Sequence, residues 1–149
     1  GYKDNTNMAG VCVSEKVNGP WINLGHVFKN IGRDSWHRFE EADAAIFFYE
    51  GYSYMTFAGW DGRDISKGQR VGIVQLDKQM KAISPATILV EALEPWQKRN
   101  DNSKVFNPVF LKDNKGKERI YYSHNPSVPG IVTGWGYVEI GKPRGEGGR

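Results

Sequence analysis

The chain has 149 residues, 39% of them hydrophobic and 25% charged, which suits one globular domain with a hydrophobic core and excludes a disordered chain. Its formal charge of +3 is dispersed, unlike the dense Lys/Arg stripe of a nucleic-acid footprint. No apolar run approaches the roughly 20 residues that a spanning helix needs. Neither nucleic acid nor a membrane is therefore expected as a partner, no signal peptide is expected at the Gly1 end, and localisation stays open. Cys12 is the only cysteine, so no disulfide framework or cysteine metal site is expected. Aromatic residues at 13% and 18 glycines predict short strands joined by tight turns.

In chain order, GVCVSEK (residues 10–16) and PWINLGHVF (20–28) read as two strands. DAAIFFY (43–49) and YSYMTFA (52–58), separated by Glu50-Gly51, read as a hairpin. The first of these runs is apolar on both faces, as expected of a strand buried between layers; the second alternates with period 2. RVGIVQLD (70–77) and TILVEA (87–92) are further strands, and EPWQKRNDNSK (94–104) is a polar connector. NPVFLKD (107–113) and RIYYSH (119–124) repeat the hairpin, and GWGYVEI (134–140) is the last strand. SEKVNG and LDKQMKA are too short to sustain a helical stripe. Residues 141–149 hold no core-forming side chain and are expected to form a flexible basic Gly-rich tail behind a single 1–140 domain.

Three segments, GVCVSEK, GIVQLDK and GYVEIGK, share a Gly, an apolar stretch and a Lys. They recur at roughly 60 residues, longer than the usual propeller repeat, and the two hairpins recur with them. Four antiparallel strands repeated along a chain match the blade of a β-propeller. The expected fold is all-β: a partial β-propeller of about two to three four-stranded blades, with the last two strands of one blade, all of a second and three of a third. A β-sandwich of similar strands is the competing fold. So few blades leave sheet faces uncovered, so the expectation is either completion by self-association or that the chain is the C-terminal portion of a longer propeller.

VCVSEKVNGPWINLGHVF, FEEADAAIFFYEGYSYMTFAGWDG and VFNPVFLKDNKGKERIYYSH resemble the blade endings and openings of the five-bladed propeller glycoside hydrolases, the arabinanase, xylosidase and fructosidase group. The resemblance covers most of this chain and about half of a complete family propeller. It implies a carbohydrate partner and an active site in a central funnel, where inner strands begin and carboxyl groups serve as base or nucleophile, acid and pKa-tuning partner. It also implies that Asp43 opens an inner strand as base or tuning group, with Glu41 as its catalytic neighbour and Glu40 as a further candidate. The family's following Pro is Ala44 here, and the matching position in the next blade is Asn107 before Pro108. An amide cannot transfer a proton as a carboxyl group does, so the catalytic set is incomplete in this chain.

HRFEEAD (37–43) is the densest group of chemical side chains. Glu41 and Asp43 share a side in an extended chain and could face a pocket with His37, or the segment could be a solvated loop capped by Asp43. Trp60, Asp61, Arg63 and Asp64 form either a sugar-contacting set or a glycine-built turn with Trp60 packed on the sheet. Asp61 and Asp64 lack the spacing of a calcium loop. His124 could enter the funnel or serve as a hydrogen-bonded structural residue; His26 reads as structural. Trp21, Trp96 and Trp135 are expected to wedge between sheets, and Cys12 to be a small buried hydrophobe. No metal site, phosphate loop or cofactor is expected. The sequence thus points to carbohydrate binding, with Asp43 and Glu41 as catalytic candidates and His37, Trp60, Asp61, Asn107 and His124 as substrate contacts. The competing reading is a non-catalytic interaction or oligomerisation module.

Overall fold

The computed structural model describes residues 7–29, 35–62, 68–92, 104–124 and 134–141. They form nine strands: β1 (Gly10–Val13), β2 (Ile22–His26), β3 (Glu40–Tyr49), β4 (Tyr52–Trp60), β5 (Arg70–Leu76), β6 (Thr87–Val90), β7 (Val105–Lys112), β8 (Glu118–His124) and β9 (Gly134–Glu139). No helix occurs among the described residues. Every strand read from the sequence is present, in three antiparallel sheets: β1-β2, β3-β4-β5-β6 and β7-β8-β9. The fold is all-β, and this two-four-three composition is consistent with a partial propeller. Arg63, Asp64, Trp96 and the tail from residue 142 lie outside the described residues.

In two of the three repeated segments the glycine has a packing cause. Phe57 on β4 pairs with Gly72 on β5, and Tyr122 on β8 pairs with Gly136 on β9. A Cβ on Gly72 would lie 2.6 Å from Trp36 and 3.0 Å from Phe57, and one on Gly136 would lie 2.6 Å from the Tyr122 hydroxyl. In both sheets the repeated glycine therefore clears a berth for an aromatic ring from the neighbouring strand. Successive sheets are also joined alike. Asn7, just before β1, makes a parallel bridge to Glu40 at the start of β3, and Gln69, just before β5, bridges Lys104 just before β7.

Two cores lie at the seams between sheets. Ala9, Val27, Phe28, Met55, Phe57, Val74 and Leu76 fill the first, between β1-β2 and the four-stranded sheet, with Trp36 stacked on Phe57 at 5.5 Å. Val71, Ala92 and Val105 fill the second, between the four- and three-stranded sheets, with Leu89, Val90 and Tyr122 against them. Phe47 of β3 stacks on Phe110 of β7 at 4.6 Å and 10°, which fixes the two first strands side by side.

Several burial expectations are corrected. The strand enclosed on both sides is β4, where residues 55–59 are all buried, not β3, where Phe48 is 69% exposed. Ile46 and Phe48 share the face that packs on sheet β1-β2, whose two strands are too few to cover them. Cys12 is exposed rather than buried, for the same reason that a two-stranded sheet has little interior. Trp21 and Trp135 do not wedge between sheets; each stands on an open face, at 59% and 69% exposure.

Candidate functional site

The site is built where β3 and β7 begin. Both strands carry the same irregularity: pairing to the next strand shifts between Ala42 and Ala45 in β3, and between Phe106 and Val109 in β7. Within each bulge one residue takes a left-handed backbone, Asp43 at φ 52° and Asn107 at φ 49°. Asp and Asn are the non-glycine types that enter this region most readily, which explains why the sequence places them there. Both residues are exposed, and the Asn107 backbone N–H donates to Asp43 Oδ2 at 3.3 Å. A carboxylate and a carboxamide thus stand together at corresponding points of adjacent sheets.

The bulge separates Asp43 from Glu41. Glu41 is buried; its Oε2 accepts from the Ala9 backbone N–H at 2.8 Å and its Oε1 accepts from His37 Nδ1 at 2.9 Å. His37 is also buried, its ring 4.5 Å from that of Phe28 and 5.2 Å from that of Phe57. The extended-chain expectation that Glu41 and Asp43 share a side does not hold: one carboxylate ties sheets together inside, and the other faces out.

Trp60 ends β4, opposite Glu40, and is half-buried with its ring edge-on to Phe39 at 5.4 Å. Asp61 follows it, half-buried. His124 lies deeper, opposite Val105 on one side and Gly134 on the other, and burial pulls its imidazole below the ordinary value of 6.5. A Cβ on Gly134 would fall inside the His124 ring, so the two positions are mutually dependent. Asp43, Asn107, Glu40 and Trp60 therefore gather near the strand openings, while Glu41, His37 and His124 pack between strands and sheets. Among the described residues no group of three His, Cys, Asp or Glu side chains converges to hold a metal ion.

Sequence reading missed Gln69, whose Nε2 donates to Glu40 Oε2 at 2.6 Å and so restrains the carboxylate that opens β3. The signal was there in the repeat, since Gln69 precedes β5 as Asn7 precedes β1. It also missed Lys81, whose ammonium donates to the backbone carbonyls of Leu24 and His26 and stitches sheet β1-β2 to the β5–β6 connection.

No protein-family model matches the chain, and no curated protein does. Solved structures share its fold. An endo-arabinase from Bacteroides thetaiotaomicron superposes with a TM-score of 0.63 at 16% identity, over 91% of this chain and 43% of that one. An α-L-arabinofuranosidase from Lactobacillus brevis gives 0.60 at 16% identity, over 83% and 35%. An endo-1,4-β-xylanase from Bacteroides thetaiotaomicron gives 0.54 at 18%, over 87% and 44%. The chain spans less than half the length of each.

Proposed function

We propose that the chain binds carbohydrate at the paired bulges, with Asp43 accepting hydrogen bonds from sugar hydroxyls and the Asn107 carboxamide donating and accepting beside it. The observation that carries this reading is the placement of Asp43 and Asn107, exposed, left-handed in backbone and joined by one hydrogen bond, at matching points of two sheets. A sugar offers vicinal hydroxyls that are both donors and acceptors, and a carboxylate next to a carboxamide complements both. Trp60 and Asp61, at the end of β4 near the same opening, supply a ring for the C–H face of a sugar and a further acceptor.

The fold likeness to an arabinase, an arabinofuranosidase and a xylanase supports pentose-rich glycans as the class to test. Hydrolysis needs two carboxyl groups on opposite faces of the scissile sugar. Asp43 is one. Glu41 is engaged with Ala9 and His37, Glu40 is held by Gln69, and Asn107 is an amide, so cleavage would require a second acid from an assembly partner or another segment. Calorimetric titration with arabino- and xylo-oligosaccharides tests the binding claim: Asp43→Ala should abolish the heat of binding, at a cost of a few degrees in melting temperature because alanine is strained at φ 52°. Unchanged affinity in that variant would remove the site.

A second reading, an interaction or oligomerisation module, rests on the shelf formed by Ile46 at 39% and Phe48 at 69% exposure, which two-stranded sheet β1-β2 leaves open. On this reading a second copy covers the shelf. Light scattering decides it, since a monomer at high concentration would exclude self-association.

A further inference from the structure

A closed circuit of hydrogen bonds joins the openings of β3 and β7, and Gln69 makes two of its three links. The Gln69 side-chain Nε2 donates to Glu40 Oε2 at 2.6 Å, three residues before Asp43 on β3. The Gln69 backbone carbonyl accepts from the Val105 N–H at 3.2 Å, two residues before Asn107 on β7. The Asn107 N–H closes the circuit by donating to Asp43 Oδ2 at 3.3 Å.

The closing bond does not set the geometry by itself. It is long for an N–H···O contact and both of its residues are exposed, so water competes for it. The Gln69–Glu40 bond is short, half-buried and charge-assisted, a class roughly twice as strong as neutral bonds. Beyond the bulges, the stack of Phe47 on Phe110 fixes β3 against β7. Each bulge breaks the register between its two sides, so that stack does not control what precedes Ala42 and Phe106. Asp43 and Asn107 are therefore gripped from both directions, by rings after the bulges and by Gln69 before them.

The internal repeat separates the two tasks of Gln69. Asn7, at the matching place before β1, accepts the Glu41 N–H on its carbonyl at 2.7 Å, as Gln69 accepts that of Val105. The carbonyl link thus belongs to the joining of successive sheets. The side-chain link reaches the other way, to the opening of β3 in the sheet that Gln69 itself leads into, where Glu40 is paired with Trp60. That link needs an amide at the end of a long side chain. Glutamate would set a second carboxylate against Glu40, and asparagine is one methylene too short. We infer that Gln69 is a positioning residue: by bracing Glu40 against the start of β7 it fixes the distance between the Asp43 carboxylate and the Asn107 carboxamide, and so selects the spacing of the sugar hydroxyls that bind there. This deepens the carbohydrate reading of the paired bulges and rests on it for the class of ligand.

The test joins calorimetric titration of the full chain with arabino- and xylo-oligosaccharides to the backbone amide resonances of the isotope-labelled chain. Gln69→Ala should weaken binding about tenfold, as loss of a bond to a charged group does. It should also shift the Asn107 amide resonance while that of Met55, buried in β4, stays in place. Gln69→Glu should weaken binding further. The exchanged pair, Glu40→Gln with Gln69→Glu, should recover most of the affinity and return the Asn107 resonance, a rescue that a general loss of stability does not produce. A Gln69→Ala variant that binds as the wild type does, or that leaves Asn107 unmoved, would overturn the brace and leave the Asp43 site standing. An exchanged pair no better than Gln69→Glu would do the same. Should the wild type bind none of these sugars, the carbohydrate reading fails and the Asn107 resonance decides the brace alone: moved in Gln69→Ala and returned in the exchanged pair it upholds the brace, and any other pattern refutes it.

Discussion

Both seams of the molecule have apolar cores, and they differ in the polar bonds that cross them. Between sheet β1-β2 and the four-stranded sheet, a buried carboxylate adds to the core of Phe28, Met55 and Phe57: Glu41 accepts from Ala9 across the seam and from His37 on its own side, and Lys81 caps the carbonyls of Leu24 and His26. Between the four- and three-stranded sheets Phe47 stacks on Phe110 with Val71, Ala92 and Val105 beneath, and the polar links are the Val105 N–H to Gln69 carbonyl bond and the exposed Asn107 N–H to Asp43 bond. The first seam thus adds a buried histidine–carboxylate pair to its apolar core, whereas at the second the linking carboxylate stays exposed.

Substitutions can break or sharpen this contrast. The largest expected effect is at the seam between the four- and three-stranded sheets, where Phe47→Ala should cost about 4 kcal/mol in urea unfolding, because a buried ring loses its stack on Phe110 and leaves a cavity. Glu41→Ala should cost about 3 kcal/mol at the other seam by stranding a backbone donor and an imidazole, and Glu41→Gln should recover part of that by keeping an acceptor. If Glu41→Gln were as damaging as Glu41→Ala, shape rather than hydrogen bonding would hold that seam. Gly134→Ala should cost about 2 kcal/mol, since its methyl group has no place beside His124 except by displacing the ring.

The smallest effect is the dependence on pH. The His124 imidazole titrates below its ordinary 6.5 in the folded chain because burial disfavours the cation. Below 6.5 the unfolded chain binds the proton more readily, so the stability linked to neutral His124 is complete above 6.5 and is lost as the pH falls through the lowered value. Asp113, held below the usual carboxylate range chiefly by the Lys117 backbone N–H, acts in the same direction at more acidic pH. Comparing the urea midpoint of the wild type with that of His124→Gln between pH 7.5 and 5 isolates the first term. Identical pH slopes would show that His124 does not sense acid.

Element order was legible because it depends on local signals: alternation in YSYMTFA, glycine turns, and the recurrence of Gly-apolar-Lys segments. Which side a residue faces was not. Reading β3 as a regular strand put Glu41 with Asp43, but one bulge after Ala42 turns the alternation over, and pattern alone does not announce a bulge. Exposure of Trp21, Trp135 and Phe48 was equally hidden, since it depends on how many strands stand opposite rather than on the residue's own neighbours. Asp43 and Asn107 could be paired in advance because both open matching hairpins; their contact needed the coordinates.

The left-handed backbone at residues 43 and 107 also bears on how such a chain changes over time. Few side chains tolerate that conformation, and aspartate and asparagine tolerate it about equally. Exchange between the two at either strand opening is thus nearly free of conformational penalty, while almost any other replacement is resisted by the main chain itself. Selection acting on position 107 would find a second acid one conservative step away, so gain or loss of proton-transfer chemistry can drift through this fold without the scaffold registering the change.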